Sequence, residues 1–438
     1  MATDWLTATV GDVAVRVTKG TTPTTIGGRF VDHGINFVKV ESITADGRLD
    51  AEKLAHIDAA TNDMLARSVL CADDVLFTIA GTIGRVALVP SSALPANTNQ
   101  AVAIVRPDQN AVDPRFLYYV LRDRSRLQQA NTRVVQSVQS NFSLAELRAL
   151  EIPLPDIAQQ RAIAHILGTL DDKIELNRRM NETLEATARA LFKSWFVGFD
   201  PVRAKSEGRD PGLPPRVADL FSDSFADSEP GEIPRGWRPS TIGNEVATVL
   251  GGTPSRSVPS YWAGDIPWIN SGTANEFRIT EPSEYITREG LASSATKMLP
   301  SRTTAIAITG ATLGQVSLTE IETCANQSVV GVLGTSSLPS EFLYFWVKEH
   351  IHELLAAETG GAQQHINKND VNDLRVVCPS QPVIAAYLAL VRPAFDRIRS
   401  GCMEVRTLAE LRDRLLRELI SGQVRTADPE RSSGRAVS

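Results

Sequence analysis

The stretch ALFKSWFVGFDPVRAKSEGRDPG, from Ala190 to Gly212, starts like the apolar end of a helix and then becomes charged and rich in proline and glycine. Proline and glycine interrupt regular secondary structure, so the helix should end here. More than 220 residues of the 438-residue chain still follow. Because a chain of this length exceeds what one hydrophobic core usually holds, we expect two or three domains. The stretch therefore predicts a connection between two parts of the chain.

The parts on either side of this connection repeat each other in sequence. WLTATVGDVA, which starts at Trp5, parallels WRPSTIGNEVA, which starts at Trp237. Internal repeats of this kind indicate a duplicated structural unit, here a globular part followed by a long helix. Further matches follow in the same order and at nearly constant spacing: TIGRVAL at Thr82 with TLGQVSL at Thr312, NQAV at Asn99 with NQSV at Asn326, FLYYVL at Phe116 with FLYFWV at Phe342, and DKI at Asp172 with DRI at Asp396.

Each globular part is followed by apolar residues at the 3,4 spacing that is typical of a long amphipathic helix. Asp156 and Gln159 are suited to cap the start of the first one. About 33 residues at about 1.5 Å each make a rod of about 50 Å. We expect the two helices to pair with each other, antiparallel; the alternative is that each packs on its own domain. The residues assigned to the helix pair or to a partner subunit are Leu170, Ile174, Leu184, Leu191, Phe192, Trp195, Phe196, Ile398, Leu408, Leu415 and Leu419.

Polar residues interrupt both apolar seams. Asn177 and Asn181 do so in the first helix, and Gly401 and Arg412 in the second. A buried asparagine between paired helices can fix their register at a cost in stability. The alternative is that both asparagines are exposed at a loosely packed middle of the helix.

Composition excludes several classes of protein. No stretch approaches the roughly 18 apolar residues of a membrane span, and the start of the sequence lacks the pattern of a signal peptide, so we expect a cytoplasmic protein without a membrane partner. The four cysteines are widely spaced and predict neither a disulfide framework nor a zinc site. The net charge of -6 argues against nonspecific adhesion to polyanions but leaves room for a local basic face.

Motifs of catalysis are absent from the sequence, which has no phosphate-binding loop, His-Glu-x-x-His or Gly-x-Ser-x-Gly pattern. Pro155-Asp156 and Asp171-Asp172-Lys173 superficially fit the Pro-Asp…Asp-x-Lys pattern of nucleases. On one helix, however, Asp156 and Asp171 would lie about 22 Å apart, too far to share one metal ion. We therefore expect no catalytic residue, no metal site and no cofactor bound by this chain.

Loops rich in Thr, Asn, Gln, Ser, Arg and Lys recur at matching places in both globular parts. Asn and Gln can pair bidentately with adenine, and Arg and Lys with guanine, so such loops suit the recognition of base edges. The alternative is that these residues only form turns. The candidate DNA-binding residues are Lys19, Thr21, Thr22, Lys39, Thr82, Arg85, Asn99, Gln100, Gln136, Gln139 and Asn141 in the first part, and Thr253, Ser255, Arg256, Asn270, Thr312, Gln315, Asn326, Gln327, Gln363, Gln364, Asn367 and Lys368 in the second.

Charge supports DNA binding in the first part only. The stretch from Arg115 to Leu150 is net positive, as a surface that contacts phosphates would be. The corresponding stretch of the second part is not basic. Candidate phosphate contacts there are Arg256, Arg278, Arg288, Lys297 and Arg302.

Two segments carry a resemblance to a known family. NRRMNETLEATARALFKSWFVGFDPVRAKSEGRDPGLPP, from Asn177, and LRDRLLRELISGQV, from Leu411, resemble the central and distal conserved regions of the specificity subunits of type I restriction-modification systems. The opening of the second part, GGTPSRS with YWAGDIPWINSG, is similar to that family as well. The resemblance covers nearly the whole chain.

The resemblance implies a function. The two globular parts would be target recognition domains that each read one half of a bipartite double-stranded DNA site, and the helices would set the spacing between the halves. Two modification subunits would dock on this chain and carry S-adenosylmethionine for methyl transfer to adenine. Restriction subunits, which use ATP and Mg²⁺, can join such complexes. The competing class is a non-catalytic scaffold or adaptor whose two similar heads bind protein.

The predicted fold class is α+β, with two similar target recognition domains joined by two long helices in an antiparallel coiled coil and an internal pseudo-twofold repeat. The expected boundaries are 1–155 for the first domain, 156–198 for the first helix, 199–236 for a connecting loop, 237–379 for the second domain, 380–424 for the second helix and 425–438 for a flexible tail.

Overall fold

The computed structural model describes residues 5–123, 142–229, 231–356 and 366–424. The chain forms two compact units. Unit 1 contains Met1–Ile174 and Thr407–Ser438, and unit 2 contains Glu175–Arg406. We call the globular parts, residues 5–155 and 237–379, the first head and the second head.

The first head is built from three small sheets. A four-stranded antiparallel sheet has the order β2-β9-β6-β7, a second sheet has the order β3-β5-β4-β8, and β1 pairs with β10. In the second sheet β4 and β8 run parallel, with Val38 opposite Thr98. The strands are β1 Leu6–Thr9, β2 Ala14–Lys19, β3 Phe30–Val31, β4 Ile35–Val38, β5 Ala55–Ile57, β6 Val75–Thr78, β7 Val86–Leu88, β8 Ala96–Thr98, β9 Val102–Pro107 and β10 Glu151–Leu154.

The second head repeats this arrangement. Its four-stranded sheet has the order β14-β20-β17-β18, a three-stranded sheet has the order β16-β15-β19, and β13 pairs with β21. Strands β15 and β19 run parallel, with Ile269 opposite Ala325. Unit 2 contains the strands β11 Phe225–Ala226, β12 Ile233–Pro234, β13 Arg238–Thr241, β14 Thr248–Leu250, β15 Trp262–Ile269, β16 Glu284–Ile286, β17 Thr304–Ala307, β18 Val316–Leu318, β19 Cys324–Ala325, β20 Val329–Val332 and β21 Arg375–Cys378.

The matching strand orders confirm the predicted duplication and the α+β fold class. The centre of each four-stranded sheet is a run of mostly apolar residues that are all buried, such as VLFT in β6 and TAIA in β17. Continuous apolar runs of this kind are expected where a strand is covered on both sides. The helices are α1 Ala59–Met64, α2 Pro114–Arg122, α3 Leu144–Arg148, α4 Ile157–Phe192, α5 Asp200–Ser206, α6 Pro215–Ala218, α7 Ile242–Glu245, α8 Arg288–Ala292, α9 Ser340–Ala356, α10 Lys368–Asp373 and α11 Gln381–Ile420.

The first long helix, α4, begins after Asp156, whose carboxylate accepts the Gln159 backbone N–H at 2.8 Å as the sequence predicted. It continues as a π-helical turn over Lys193–Val197. Phe199 then adopts the left-handed conformation, with φ of 56°, which ends the helix. The connection, expected as a loop, is partly regular, because it holds the short helices α5 and α6 and the two-stranded β11-β12 pair.

Segments of both long helices pack together within each unit. In unit 2, Asn181 of α4 lies against Gly401 and Cys402 of α11, and the Phe196 ring lies 5.0 Å from that of Tyr387. Moving forward along α4 therefore means moving backward along α11, so the two helices are antiparallel there. In unit 1, Asp171 of α4 accepts a 2.7 Å bond from Arg412.

The two asparagines of α4 are buried. Asn177 is 0% exposed and Asn181 is 2% exposed, so the alternative of an exposed, loosely packed middle is wrong. Gly401 leaves room for the Asn181 side chain, because a Cβ at position 401 would approach the Asn181 Oδ1 atom to 2.3 Å and force it to move. The amide and the glycine together allow one register of the two helices in unit 2, as a buried polar residue does in other helix pairs.

The aromatic residues at the end of the first long helix lie in the core of unit 2. Phe192, Trp195 and Phe196 are at most 1% exposed and pack on the second head and on Tyr387. The sequence assigned these side chains to the helix pair or to a partner subunit, and their burial favours contacts within the chain. Among the other predicted seam residues, Ile174, Ile398 and Leu419 are buried, whereas Leu170, Leu184, Leu191, Leu408 and Leu415 are half-buried.

A buried ionic cluster joins α4 to the second head. Glu185 accepts hydrogen bonds from Arg278 at 2.5 Å, from the Tyr344 hydroxyl at 3.0 Å and from Lys348 at 2.9 Å. Arg278 also faces Glu320 at 3.6 Å. Charges in a low-dielectric interior are stable only when they are paired. Removal of one member of the cluster leaves the other charges buried and unpaired, which costs much free energy.

We expect the substitution Glu185→Ala to lower the free energy of unfolding by about 3–5 kcal/mol, because it leaves Arg278 and Lys348 without their shared carboxylate. Denaturant unfolding followed by tryptophan fluorescence measures this change. The control is Arg179→Ala, which removes an exposed ion pair to Glu175 on the same helix and should cost at most about 0.5 kcal/mol. Equal losses for the two variants would contradict a special role for the cluster.

The same cluster predicts a dependence of stability on pH. Burial acts to raise the pKa of Glu185, but the charges of Arg278 and Lys348 outweigh burial and hold this pKa below its ordinary value. The stabilisation by Glu185 is therefore complete above the pKa of about 4.3 in the unfolded chain and is lost as the pH falls through the lower folded value. We expect the difference in free energy of unfolding between the unmodified chain and Glu185→Gln to become smaller as the pH falls below about 4.3. A difference that stays constant down to pH 3 would contradict this assignment.

Candidate nucleic-acid interface

Three polar loops of the first head meet at the ends of its parallel strands. Lys39 and Asn99 each follow one of the parallel strands β4 and β8, and the backbone N–H of Gly20 donates to the Asn99 carbonyl at 3.1 Å. The Thr22 hydroxyl donates to the side-chain oxygen of Gln100. The approach requires glycine, because a Cβ at position 20 would lie 1.7 Å from the Thr98 carbonyl oxygen.

The hairpin between β6 and β7 borders the same place. The backbone N–H of Ile79, at the end of β6, donates to the Ala101 carbonyl at 2.8 Å. The turn that follows carries Thr82, which is exposed, and Arg85, which is half-buried and donates to the Ile43 carbonyl at 2.7 Å. Four loops that are far apart in the sequence therefore form one polar edge, which we call the loop edge.

The second head builds the same loop edge. Asn270 and Asn326 follow the parallel strands β15 and β19, and the Asn326 N–H donates to the Ile269 carbonyl at 2.9 Å. The Thr253 hydroxyl donates to the side-chain oxygen of Gln327, as Thr22 does to Gln100 in the first head. The backbone again approaches so closely that a Cβ at Gly251 would lie 2.0 Å from the Asn326 carbonyl oxygen.

The second hairpin turn is also reproduced. The Ile308 N–H donates to the Ser328 carbonyl at 2.9 Å, and Gly310 and Gly314 have positive φ, as Gly81 and Gly84 do in the first head. Ile366 donates from its N–H to the Ile308 carbonyl at 2.9 Å, and Asn367 next to it caps α10. Thr312 and Gln315 lie in this turn.

Most predicted DNA-binding residues therefore converge on the two loop edges. Gln136, Gln139, Asn141, Gln363 and Gln364 lie outside the described residues. Of the others, Lys19, Thr82, Gln100, Ser255, Arg256, Gln315, Gln327 and Asn367 are exposed, and Thr21, Thr22, Lys39, Arg85, Asn99, Thr253, Asn270, Thr312, Asn326 and Lys368 are half-buried.

Several asparagines form turns, as the alternative interpretation had it. Oδ1 of Asn99 accepts the Ala101 N–H at 3.0 Å, and Oδ1 of Asn326 accepts the Ser328 N–H at 3.1 Å. Asn270 holds the Gly272 N–H in the same way at 2.7 Å. These amides shape the loop edges, and their NH₂ groups are the part that can contact a ligand.

The candidate phosphate contacts of the second head need correction. Arg278 is 3% exposed and belongs to the Glu185 cluster, so it cannot reach a phosphate. Arg302 donates to Glu341 at 2.8 Å and to Asp396, so it ties the second head to α11. Arg256, Arg288 and Lys297 are exposed. The sequence could not distinguish a structural arginine from a binding one, because the acidic partners lie far away along the chain.

Sequence reasoning missed three side chains around Arg256. The guanidinium carbon of Arg256 lies 3.6 Å from the centre of the Trp262 ring and 5.3 Å from the centre of the Trp268 ring. The two terminal nitrogens of Arg256 each donate a 2.7 Å hydrogen bond to the carboxylate of Glu284. The pair of tryptophans in YWAGDIPW was the available signal, since aromatic faces near an arginine favour stacking.

The suspected nuclease pattern is structural. Asp156 caps α4, and Asp171 accepts hydrogen bonds from the Tyr119 hydroxyl at 2.6 Å and from Arg412. Across the described ranges, no group of three or more His, Cys, Asp or Glu side chains is placed to hold a metal ion. Within the same ranges, no helix is both long enough and apolar enough for a membrane span.

Comparison with known proteins places this architecture in a family. The family model described as Type I restriction modification DNA specificity domain matches residues 3–186 and 234–391. The chain is 27% identical over 369 residues to the HindI specificity subunit, from a type I restriction enzyme of Haemophilus influenzae, which covers 73% of this chain and 80% of that protein. It is 23% identical over 359 residues to the MjaIX specificity subunit of Methanocaldococcus jannaschii, with 81% and 78% covered.

A solved structure shows the same fold. The crystal structure of the S subunit of a type I restriction-modification system from M. genitalium has a TM-score of 0.53 and 14% sequence identity, and the match covers 95% of this chain and 96% of that one. The two ranges of the family model each begin in or just before a head and end in the long helix that follows it. Because these ranges span well over half of the sequence, the chain belongs to the type I restriction modification DNA specificity family and carries its domain twice.

Proposed function

We propose that this chain is the subunit that recognises DNA in a type I restriction-modification complex, and that each head contacts one half of a bipartite site through its loop edge. DNA target recognition is the role of the family to which the chain belongs. The observation that carries the assignment to the loop edges is their construction: both have the same Thr–Gln pair and the same close glycine contact, yet they differ in the side chains around that pair.

These differences are of the kind that sequence recognition needs. Lys39 in the first head corresponds to Asn270 in the second, since each follows the same parallel strand, and Arg85 corresponds to Gln315 in the hairpin turn. Lysine and arginine suit guanine, whereas asparagine and glutamine suit adenine. The two heads share the same backbone arrangement at the loop edge and differ in the side chains there, so one fold can recognise two unlike half-sites.

Recognition and catalysis are divided between subunits in this proposal. The chain itself is not an enzyme and binds no cofactor; two modification subunits dock on it and use S-adenosylmethionine to methylate adenine. Restriction subunits, where present, use ATP and Mg²⁺. With a net charge of -6 the chain is a weak polyanion binder by itself, so the partner subunits supply much of the phosphate contact in the cytoplasmic complex.

Methylation mapping tests the proposal. Single-molecule sequencing compares DNA from cells that co-express this chain with its modification subunit and DNA from cells that lack this chain. We expect a new bipartite motif with methyladenine in both halves. If the complex assembles and no new motif arises, DNA recognition is contradicted, and the heads serve as protein-binding adaptors.

A second experiment tests whether the long helices set the spacing between the halves. Removing residues 172–178 and 405–411 shortens each helix by about 10 Å while it preserves the seven-residue pattern of the seam. We expect both half-sequences to stay unchanged and the spacer between them to become shorter. The control removes residues 172–178 alone, which puts the helices out of register and should abolish methylation. An unchanged spacer in the double deletion would contradict the role of the helices.

A further inference from the structure

Trp262 and Glu284 hold Arg256 in place at the loop edge of the second head. Its guanidinium stacks on the face of Trp262 at 3.6 Å, and both terminal nitrogens donate to the carboxylate of Glu284 at 2.7 Å. This ion pair raises the pKa of Arg256 and lowers that of Glu284. The guanidinium plane is thereby fixed before any ligand arrives.

The backbone of the loop is fixed as well. The indole N–H of Trp268 donates to the Gly252 carbonyl at 3.1 Å, and that of Trp262 donates to the Ser255 carbonyl at 3.2 Å. Thr253, between these two points, is bonded to Gln327. The two tryptophans therefore set the position of Arg256 relative to the Thr–Gln pair at the loop edge.

Stability alone does not account for this arrangement. The Arg256 side chain is 54% exposed and that of Glu284 is 42% exposed. Exposed ion pairs contribute little to the stability of a fold. The Nε–H group of Arg256 makes no hydrogen bond to another described residue. Together with an N–H of the neighbouring terminal nitrogen, it forms the side edge of the guanidinium. This edge presents two parallel donors, which match the O6 and N7 acceptors of guanine in the major groove.

A phosphate is a poor occupant of this position. The carboxylate of Glu284, which the guanidinium already contacts, repels a phosphate, whereas a base edge is uncharged. The stacked and paired arginine is suited to a planar acceptor pair.

We propose that Arg256 recognises one guanine in the half-site bound by the second head, and that Glu284 and Trp262 are positioning residues for it. The assignment rests on the proposed function of the chain. The sequence left both a base contact and a phosphate contact open for Arg256, and the inference selects the base contact.

The first head has no arginine stacked on an indole at the corresponding position. Thr25 occupies the position of Arg256, and its hydroxyl donates to the Thr22 carbonyl at 2.7 Å. Phe37, whose ring has no N–H, occupies the position of Trp268. In its place the ammonium of Lys39 lies 4.8 Å from the centre of the Phe30 ring. The effect of Arg256 is thus confined to one half of the DNA site, and the other half provides an internal reference.

The test uses the purified complex of the full chain with its modification subunits and the site found by methylation mapping. Each base pair of the site is replaced in turn, and methylation rates are measured for the unmodified chain and for Arg256→Ala, Arg256→Lys and Glu284→Gln. Arg238→Lys is the matched control, since Arg238 is an equally exposed arginine of the same head with a two-pronged bond to Glu245 but no stacked indole.

For the unmodified chain we expect about a ten- to hundredfold preference for guanine at one position of one half-site. Arg256→Ala should reduce this preference to about one- to threefold, whereas Arg256→Lys and Glu284→Gln should each reduce it in part. Arg238→Lys should leave it intact. The other half-site should not change.

A uniform loss of methylation on all sequences would overturn the inference in favour of a phosphate contact or a purely structural role. An unaltered guanine preference in Arg256→Lys, which keeps the charge and loses the fork, would overturn it even if Arg256→Ala failed to fold. These results differ from failure of the proposed function, in which the unmodified chain itself would direct methylation to no bipartite motif, and the role of Arg256 would fall with it.

Discussion

Neither half of this chain can bury its own apolar surface, and the rest of the structure depends on that constraint. The core of unit 1 takes in Leu416, Leu419 and Ile420 from the end of the second long helix. The core of unit 2 takes in Ala188, Phe192, Trp195 and Phe196 from the end of the first. Each head therefore packs on helical turns that were made by the other copy of the repeat. The hydrophobic effect, which acts on buried area without regard to sequence distance, makes the pairing of the two long helices within each unit a condition of folding.

The two units meet this constraint with different polar chemistry on the same frame. Tyr118 with Arg122 in the first head corresponds to Tyr344 with Lys348 in the second, and each cation donates to its tyrosine hydroxyl and lies over the ring. Next to them, Tyr119 bonds to Asp171, whereas the corresponding Phe345 contacts the ring of Phe395. Both partners have changed together, so the Tyr119 hydroxyl has its acceptor and Phe345 needs none. Satisfied polar pairs and matched apolar pairs are both stable in an interior, but mixed ones are not.

The sequence was sufficient for the repeat, the fold class and the two helices, because a collinear duplication and the 3,4 spacing are properties of the chain alone. It also named most residues of the loop edges, since loops at equal positions of two copies must meet at equal places. It failed where a partner is distant in sequence. Arginine is usually exposed, so the sequence indicated that Arg278 and Arg302 could contact phosphate. In the structure Arg278 is bonded to Glu185, and Arg302 is bonded to Glu341 and Asp396. The contacts of Arg256 with Glu284, Trp262 and Trp268 were missed for the same reason, because these residues become its neighbours only through folding.

The matched pairs at the base of each head bear on how such a chain can diversify by recombination. If the first head replaced the second and left α11 in place, the hydroxyl of Tyr119 would meet Phe395, and a buried donor without an acceptor costs about 1–3 kcal/mol. If the exchanged segment continued into the helix as far as Asp171, the acceptor would travel with its donor. The tolerated crossover points should therefore lie inside the long helices and not at the visible borders of the heads. The segment that is inherited as one piece is then longer than the globular part that binds the ligand.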